Sequence, residues 1–260
     1  GAISNASGNL LNGSKKISLN GKPVFHQVGV SCFSEYVVVS KHSLVKIENT
    51  LNFSEAALFG CAVITGVGAV VNTAKVRMGS SIAIFGLGGT GLAALIGAKS
   101  AGAGKIIAVD MKQEKLDLAR KLGANNTILA SERNIIDKIK KLSDGGVEYS
   151  FECVGSEKVL ENAYKATRRG GLTVSSGLSH PDKNFTIQHV NLVAEEKTIK
   201  GSYLGSCIPD RDIPAYIELY KNNSLPINSL LSQKVKLDDI NEAFDRLSEG
   251  DTIRQIITFN

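Results

Sequence analysis

The sequence predicts an α/β fold in which helices flank a doubly wound parallel sheet. From residue 81 onward, short apolar runs alternate with helical segments of similar length, which is typical of βαβ units. A glycine-rich turn follows the first apolar run at once, and glycine makes up 26 of the 260 residues. A chain of this length can bury a core without disulfides or metal ions.

The composition argues against several other classes of protein. Hydrophobic residues are 43% and charged residues 21% of the chain, which excludes a disordered chain or a coiled coil. The net charge of +5 comes from interspersed basic residues, and tryptophan is absent, so we expect no nucleic-acid binding. We see no apolar run near the about 18 residues that a membrane span needs, and therefore expect no membrane insertion.

The four cysteines predict free thiols. Cys32, Cys61, Cys153 and Cys207 lie far apart and form no CxxC pair. Widely spaced cysteines in a chain of this length favour a reducing compartment. We therefore expect a cytoplasmic protein.

The elements before the alternating region are less regular. Residues 1–24 are polar and rich in glycine, serine and asparagine, which predicts a loop. Residues 33–39 are β-branched and aromatic, which predicts a strand. Residues 54–75 predict a helix with Ser54 as its N-cap.

The alternating region predicts strands at 81–85, 105–110, 126–129, 148–153 and 172–176, with helices at 89–101, 114–122, 134–142 and 158–167. The alternation breaks after residue 176. Beyond it we expect a short helix within 185–204, strands at 198–204, 234–237 and 253–259, and helices at 213–222 and 239–248.

The glycine-rich turn fits the pattern GxGxxG, and it lies between a predicted strand and a predicted helix. Its six residues are Gly86, Leu87, Gly88, Gly89, Thr90 and Gly91. The first glycine permits a tight turn, the second lets a diphosphate approach the backbone, and the third allows close helix packing. Free amides at the helix start would hold the phosphates. The alternative is a glycine-rich turn without a ligand.

Asp110 ends the second predicted strand of the alternating region. A carboxylate there can accept hydrogen bonds from the adenosine ribose and repel a 2′-phosphate, which favours NAD over NADP. The alternative role is N-cap of the following helix. Lys115 lies nearby in sequence and could tolerate a phosphate.

Several segments resemble the zinc-containing medium-chain alcohol dehydrogenases, most closely their class III-like branch. They are residues 60–69, 76–80, 86–91, 31–39 and 121–124, Gly170-Gly171 with the apolar strand after it, and Ile253-Arg254. The resemblance covers about residue 21 to residue 260. It implies a partial GroES-like, β-rich catalytic domain at 1–62, an NAD-binding Rossmann domain at 63–205, and a return to the catalytic domain at 206–260.

The resemblance also implies roles for individual residues. Cys61 matches the third ligand of the catalytic zinc, and Thr65 matches a residue that flanks the nicotinamide. Leu178 lies where a backbone group would meet the carboxamide, and Arg254 matches an arginine that reaches the diphosphate. The alternatives are an inert buried cysteine for Cys61 and a surface cation for Arg254.

Two more residues of the turn region have counterparts in that family. Thr90 matches a position behind the nicotinamide ring, and Lys115 matches a basic residue near the ribose. The first zinc ligand, the histidine of the Gly-His-Glu motif and the four-cysteine structural zinc loop have no counterpart in this sequence. We therefore expect an N-terminally truncated form with an incomplete zinc site.

The implied activity is NAD-dependent hydride transfer between a small alcohol and its aldehyde. An apolar edge strand at 198–204 implies a homodimer, since such an edge is otherwise prone to aggregation. The alternative is a non-catalytic dinucleotide-binding or oligomerisation module. Cys61 argues against a zinc-independent reductase of the same superfamily.

Overall fold

The computed structural model describes residues 7–259, and its central element is a six-stranded parallel sheet. The strands in chain order are β1 (Ile17–Leu19), β2 (Lys22–Val24), β3 (Ser81–Phe85), β4 (Lys105–Asp110), β5 (Asn126–Leu129), β6 (Val147–Glu152), β7 (Thr167–Ser175), β8 (Thr198–Gly201), β9 (Leu231–Val235) and β10 (Arg254–Ile257). The helices are α1 (Phe53–Ala74), α2 (Gly89–Ser100), α3 (Gln113–Lys121), α4 (Ile135–Leu142), α5 (Glu157–Ala166), α6 (His189–Ala194), α7 (Pro209–Lys221) and α8 (Ile240–Ser248).

The strand order in this sheet is β5-β4-β3-β6-β7-β8. From β3 the chain therefore adds β4 and β5 on one side of the sheet. It then crosses to the other side of β3 and adds β6, β7 and β8. In doubly wound sheets, ligands bind beyond the carboxyl ends of the strands at this reversal. The predicted doubly wound α/β fold is confirmed, and the crevice lies between the ends of β3 and β6.

Strand β3 is apolar and buried from Ile82 to Phe85 because helices cover both faces of the sheet. Ile82 and Ile84 pack into a core with α1, α2 and α7, whereas Ala83 and Phe85 pack into a second core that includes Ile139 of α4. Burial of one such large side chain contributes about 1.5–3 kcal/mol. These two cores hold the crevice edge in place.

Helix α1 is the exception to our expectation about apolar runs. Phe53–Ala74 is 22 residues long and apolar enough to cross a membrane by length and composition alone. In this structure 67% of its most apolar window is buried inside the protein. Its composition thus has a physical reason in the core, where Gly66 of α1 packs against the start of α2. The expectation that no such run exists was wrong.

The N-terminal predictions need three corrections. Residues 33–39 form no strand in the described structure, because no described strand pairs with their backbone. Tyr36 in this segment is 89% exposed. The predicted loop at 1–24 contains the antiparallel pair β1 and β2, and residues 1–6 lie outside the described residues. The N-cap of α1 is Asn52, whose side chain accepts a hydrogen bond from the Glu55 amide at 2.9 Å, rather than Ser54.

The C-terminal segment divides between two places. Helix α7 and residues 225–230 pack into the core on one face of the large sheet, while β9 and β10 form a separate parallel pair. Helix α1 also runs without a break across residues 62 and 63. The three-part division at 1–62, 63–205 and 206–260 stays a prediction.

Candidate dinucleotide-binding site

The glycine-rich turn connects the buried end of β3 to the first turn of α2. Gly86 adopts a φ of +88°, which L-residues rarely adopt. A Cβ on Gly91 would lie 1.7 Å from the Gly86 carbonyl oxygen, so the helix starts directly against the turn. The predicted reasons for the first and third glycines are therefore visible in the geometry.

Gly88 differs from both, because a Cβ built on it would have no atom within 4 Å. The space beside its backbone is open, and Gly88 is also the N-cap of α2, with no side-chain cap on the helix. Amides in the first turn of a helix have no intrahelical partners, and the helix dipole favours negative charge there. The geometry fits a phosphate group at this position.

Asp110 faces the glycine-rich turn from the end of β4. Its Oδ2 atom accepts a hydrogen bond from the Leu87 amide at 2.6 Å, and its Oδ1 atom accepts one from the Lys112 amide at 2.9 Å. Helix α3 starts at Gln113, and the cap position is Lys112. The alternative that Asp110 is the N-cap is therefore wrong, and its carboxylate lies beside the glycine-rich turn at the carboxyl end of β4.

A cavity of about 230 Å³, which we call the diphosphate cavity after the group that its lining would suit, lies over the start of α2. Its lining brings together five of the predicted cofactor-binding residues: Gly88, Gly89, Thr90, Lys115 and Arg254. The Arg254 side chain lies so close to Gly89 that a Cβ there would be 2.2 Å from Arg254 Nε. That buried nitrogen has no hydrogen-bond partner among the described residues. An unpaired guanidinium nitrogen beside open helix amides fits a diphosphate, so a dinucleotide is compatible with the residues present.

Thr65 and Leu178 approach the crevice from two other elements. Thr65 is buried in α1, and the next residue, Gly66, would place a Cβ 2.3 Å from the Thr90 carbonyl oxygen. The Leu178 side chain is 83% exposed. Its carbonyl oxygen lies 2.5 Å from the Cβ position of Gly155, so its backbone rests on the turn after β6. The structure therefore places Thr65 next in sequence to the contact between α1 and the start of α2, and Leu178 at the ends of β6 and β7.

Cys61 lies apart from this cavity. It is exposed within a π-helical stretch of α1, Phe59–Val63, a distortion that is frequent at functional sites. It lines an apolar cleft of about 540 Å³. The cleft and the diphosphate cavity have Leu247, Ile253 and Arg254 in common, so the two spaces adjoin.

Comparisons with known proteins agree with this geometry. A family profile described as zinc-binding dehydrogenase matches residues 89–222. S-(hydroxymethyl)glutathione dehydrogenase from Escherichia coli O139:H28 is 38% identical over 250 residues, which are 95% of this chain and 68% of the relative. The chain belongs to the zinc-binding dehydrogenase family. The resemblance to class III-like alcohol dehydrogenases is confirmed.

Other members of the zinc-binding dehydrogenase family match over the same region. Alcohol dehydrogenase from Malus domestica is 37% identical over 251 residues, which are 95% of this chain and 66% of the relative. The solved structure of benzyl alcohol dehydrogenase from Acinetobacter calcoaceticus superposes with a TM-score of 0.89 at 31% identity, and covers 95% of this chain and 69% of that one. The chain thus spans about two thirds of the length of these relatives.

A zinc ion of the kind that names the family does not fit the residues present. Among residues 7–259, no three His, Cys, Asp or Glu side chains come together in a group that could hold a metal. Zinc sites in proteins use about four ligands, of which a catalytic site takes three from the protein. Cys61 alone cannot supply them.

Two residues at the crevice were not foreseen from the sequence. Cys153 lines the diphosphate cavity, and burial raises the pKa of its thiol, so the thiol is neutral at physiological pH. Glu152 is 1% exposed at the end of β6. An acidic residue that directly follows the apolar Phe151 at the carboxyl end of a predicted strand was a signal that could have pointed to it.

Proposed function

We propose that the chain binds NAD across the carboxyl ends of its parallel strands and is the nucleotide-binding part of an alcohol dehydrogenase. The diphosphate cavity carries this proposal, because Gly88, with open space beside its backbone, and the side chain of Arg254 line one space, and the buried Arg254 Nε has no hydrogen-bond partner among residues 7–259. The adenosine ribose would bind Asp110, which favours NAD over NADP. Lys115 adds positive charge at the same cavity.

When bound, NAD supplies the hydride chemistry, and the protein supplies orientation and electrostatics. In this proposal the first-turn amides of α2 and Arg254 hold the diphosphate. Thr65 and Thr90 lie beside the nicotinamide, and the Leu178 backbone meets its carboxamide. These contacts would fix one face of the ring toward the substrate, a small alcohol or aldehyde of the kind that the relatives' names indicate.

NADH titration tests the proposal directly. The chain contains no tryptophan, so the emission of bound NADH can be recorded without a contribution from tryptophan. We expect saturable binding and competition by ADP-ribose, which contains the diphosphate and both riboses. An absence of saturable binding to the folded chain would contradict the proposal.

The second candidate function is a dinucleotide-binding module that does not turn over substrate. The lack of a metal-binding group among residues 7–259 favours it. Metal analysis and alcohol oxidation assays distinguish the two. Stoichiometric zinc with turnover supports the enzyme, whereas NADH binding without either supports the module.

We also propose that the chain forms a homodimer through the edge of the sheet and acts in the cytoplasm. Strand β8 is the edge of the sheet and pairs, among residues 7–259, with β7 alone, and Tyr203 just beyond it is 59% exposed. All four cysteines are free, which supports a reducing compartment. Sedimentation at micromolar concentration tests the first point, and a monomer there would contradict it.

A further inference from the structure

Glu152 joins the two turns that follow β6 and β7. Its Oε1 atom accepts hydrogen bonds from the Val154 amide at 2.7 Å and the Gly155 amide at 2.6 Å. Its Oε2 atom accepts one from the Ser175 hydroxyl at 3.0 Å. One side chain therefore bridges the end of β7 and the turn after β6.

The two turns also touch backbone to backbone. A Cβ on Gly177 would lie 2.1 Å from the Gly155 amide nitrogen and 2.8 Å from Glu152 Oε2. The Leu178 carbonyl oxygen rests over Gly155 in the same way. The Glu152 carbonyl oxygen also accepts hydrogen bonds from the Ser176 amide at 2.9 Å and the Gly177 amide at 3.3 Å, so Glu152 links the two turns through both its backbone and its side chain.

The burial of this carboxylate has a cost. Removing an ionised group from water costs several kcal/mol unless hydrogen bonds or opposite charges compensate, and Glu152 is 1% exposed. No hydrogen bond or ion pair described for its carboxylate comes from a Lys, Arg or His side chain among residues 7–259. Its compensation comes from backbone amides and one hydroxyl, the groups whose position it fixes.

The location of these turns determines which half of a dinucleotide they would support. The sheet consists of two halves, one from β3, β4 and β5 and the other from β6, β7 and β8. Asp110, the proposed ribose partner, belongs to the first half. The nicotinamide end would therefore lie over the second half, where the turns after β6 and β7 form its floor.

We propose that Glu152 is the positioning residue for the nicotinamide half of the bound dinucleotide. This proposal rests on the proposed NAD site. Its prediction is selective: removal of the carboxylate loosens the support for the nicotinamide and leaves the diphosphate and adenosine contacts in place.

The experiment compares NADH with ADP-ribose, which lacks the nicotinamide, by calorimetric titration of the wild-type chain and three variants. For Glu152→Ala we expect NADH affinity to fall about tenfold or more, as for the loss of hydrogen bonds to a charged group, with ADP-ribose affinity unchanged within about twofold. Glu152→Gln retains an acceptor for the two amides and restores part of the NADH affinity. Glu148→Gln is the control, since Glu148 lies on the same strand and also accepts a backbone amide, from Ser81.

Several outcomes would overturn the proposal. Equal losses of NADH and ADP-ribose affinity in the Glu152 variants would show a general structural role, and unchanged NADH affinity would show no role. If Glu152→Ala does not fold, Ser175→Ala removes the Oε2 partner and must show the same selective loss of NADH affinity. Failure of the wild-type chain to bind ADP-ribose would instead overturn the proposed NAD site and this assignment with it.

Discussion

Gly91 in α2 lies directly against Gly86, with only 1.7 Å between a Cβ built on Gly91 and the Gly86 carbonyl oxygen. The contact joins the first turn of the helix to the strand end, and it fixes where the helix amides point. Gly88 lies between them in sequence and has open space beside it. The same motif therefore contains a glycine required for folding and a glycine that leaves room for a ligand.

The first prediction separates these two roles. Gly91→Ala is expected to destabilise the protein by about 3 kcal/mol, because its methyl group would overlap a backbone oxygen that cannot move without shifting the turn. Gly88→Ala has no such neighbour and should change the free energy of unfolding by less than about 1 kcal/mol. NADH binding should nevertheless be lost in Gly88→Ala, since the methyl group fills the space for the diphosphate. Urea unfolding and NADH titration measure the two effects, and a Gly88→Ala variant with wild-type NADH affinity would contradict the prediction.

The second prediction concerns Arg254, whose buried Nε atom has no hydrogen-bond partner within residues 7–259. Arg254→Ala should weaken NADH and ADP-ribose equally, by about tenfold to a hundredfold, because hydrogen bonds to charged groups contribute about 1.5–3 kcal/mol. The control is Arg246→Ala, which removes the same charge from α8, where the arginine lies 3.8 Å from Glu242. Calorimetric titration of both variants measures the difference, and similar affinities for the two variants would contradict the assignment.

The sheet was predictable because its signal is local. Apolar runs such as the segment from Ser81 to Phe85 are buried on both faces, so their composition alone marks them as central strands. Residues 33–39 have the same strand composition but form no strand. A strand also needs a partner to complete its hydrogen bonds, and the composition of one segment does not contain that information.

The site was predictable where a motif fixes the backbone and unpredictable where partners are distant in sequence. The turn from Gly86 to Gly91 and Asp110 meet at the crevice as expected. The hydrogen bond from Ser175 to Glu152 joins two residues that are 23 positions apart in sequence. No sequence motif predicts that such a pair lies in contact. Arg254 was placed by resemblance, and its proximity to Gly89 is a result of tertiary packing.

The third prediction tests the choice between NAD and NADP. The Asp110 carboxylate would repel a 2′-phosphate, so Asp110→Asn should lower the ratio of NADPH to NADH dissociation constants by about tenfold. Asp117→Asn is the matched control, since Asp117 lies exposed on α3 and pairs with Arg120 at 2.7 Å. Competition titrations with both cofactors give the ratios. A ratio that shifts equally in both variants would indicate a general charge effect.

The fourth prediction concerns stability at acid pH. Hydrogen bonds from the Arg211 guanidinium hold the pKa of Asp212 below its usual range, with help from the Ile208 amide and against the effect of burial. Because the folded-state pKa is lowered, the stabilisation is complete above the unfolded-state value of about 3.9 and is lost as pH falls through the folded-state pKa. Asp212→Asn should cost about 1.5–3 kcal/mol at pH 7 and flatten the stability curve below pH about 4.

Thermal unfolding between pH 7 and pH 2 measures this dependence. Asp210→Asn is the control, because Asp210 lies in the same first turn of α7 and is exposed. Asp212 also accepts a hydrogen bond from Asn72 of α1 at 3.1 Å. The Asp212→Asn substitution should therefore also weaken the contact between α1 and α7. Identical pH profiles for wild type and Asp212→Asn would show that this carboxylate does not contribute.

The fifth prediction ranks the reactivity of the four thiols. Cys32 and Cys61 are exposed, whereas burial raises the pKa of Cys153 and raises that of Cys207 to about 11. The thiolate is the reacting species. At pH 8 a disulfide reagent should therefore modify Cys32 and Cys61 rapidly, and Cys153 and Cys207 slowly. Mass spectrometry of the digested protein identifies the modified cysteines. Rapid modification of Cys153 would contradict its buried position under the glycine-rich turn. Cys61→Ser should remove one fast thiol and leave NADH affinity unchanged, since Cys61 lines the adjoining apolar cleft and does not line the diphosphate cavity.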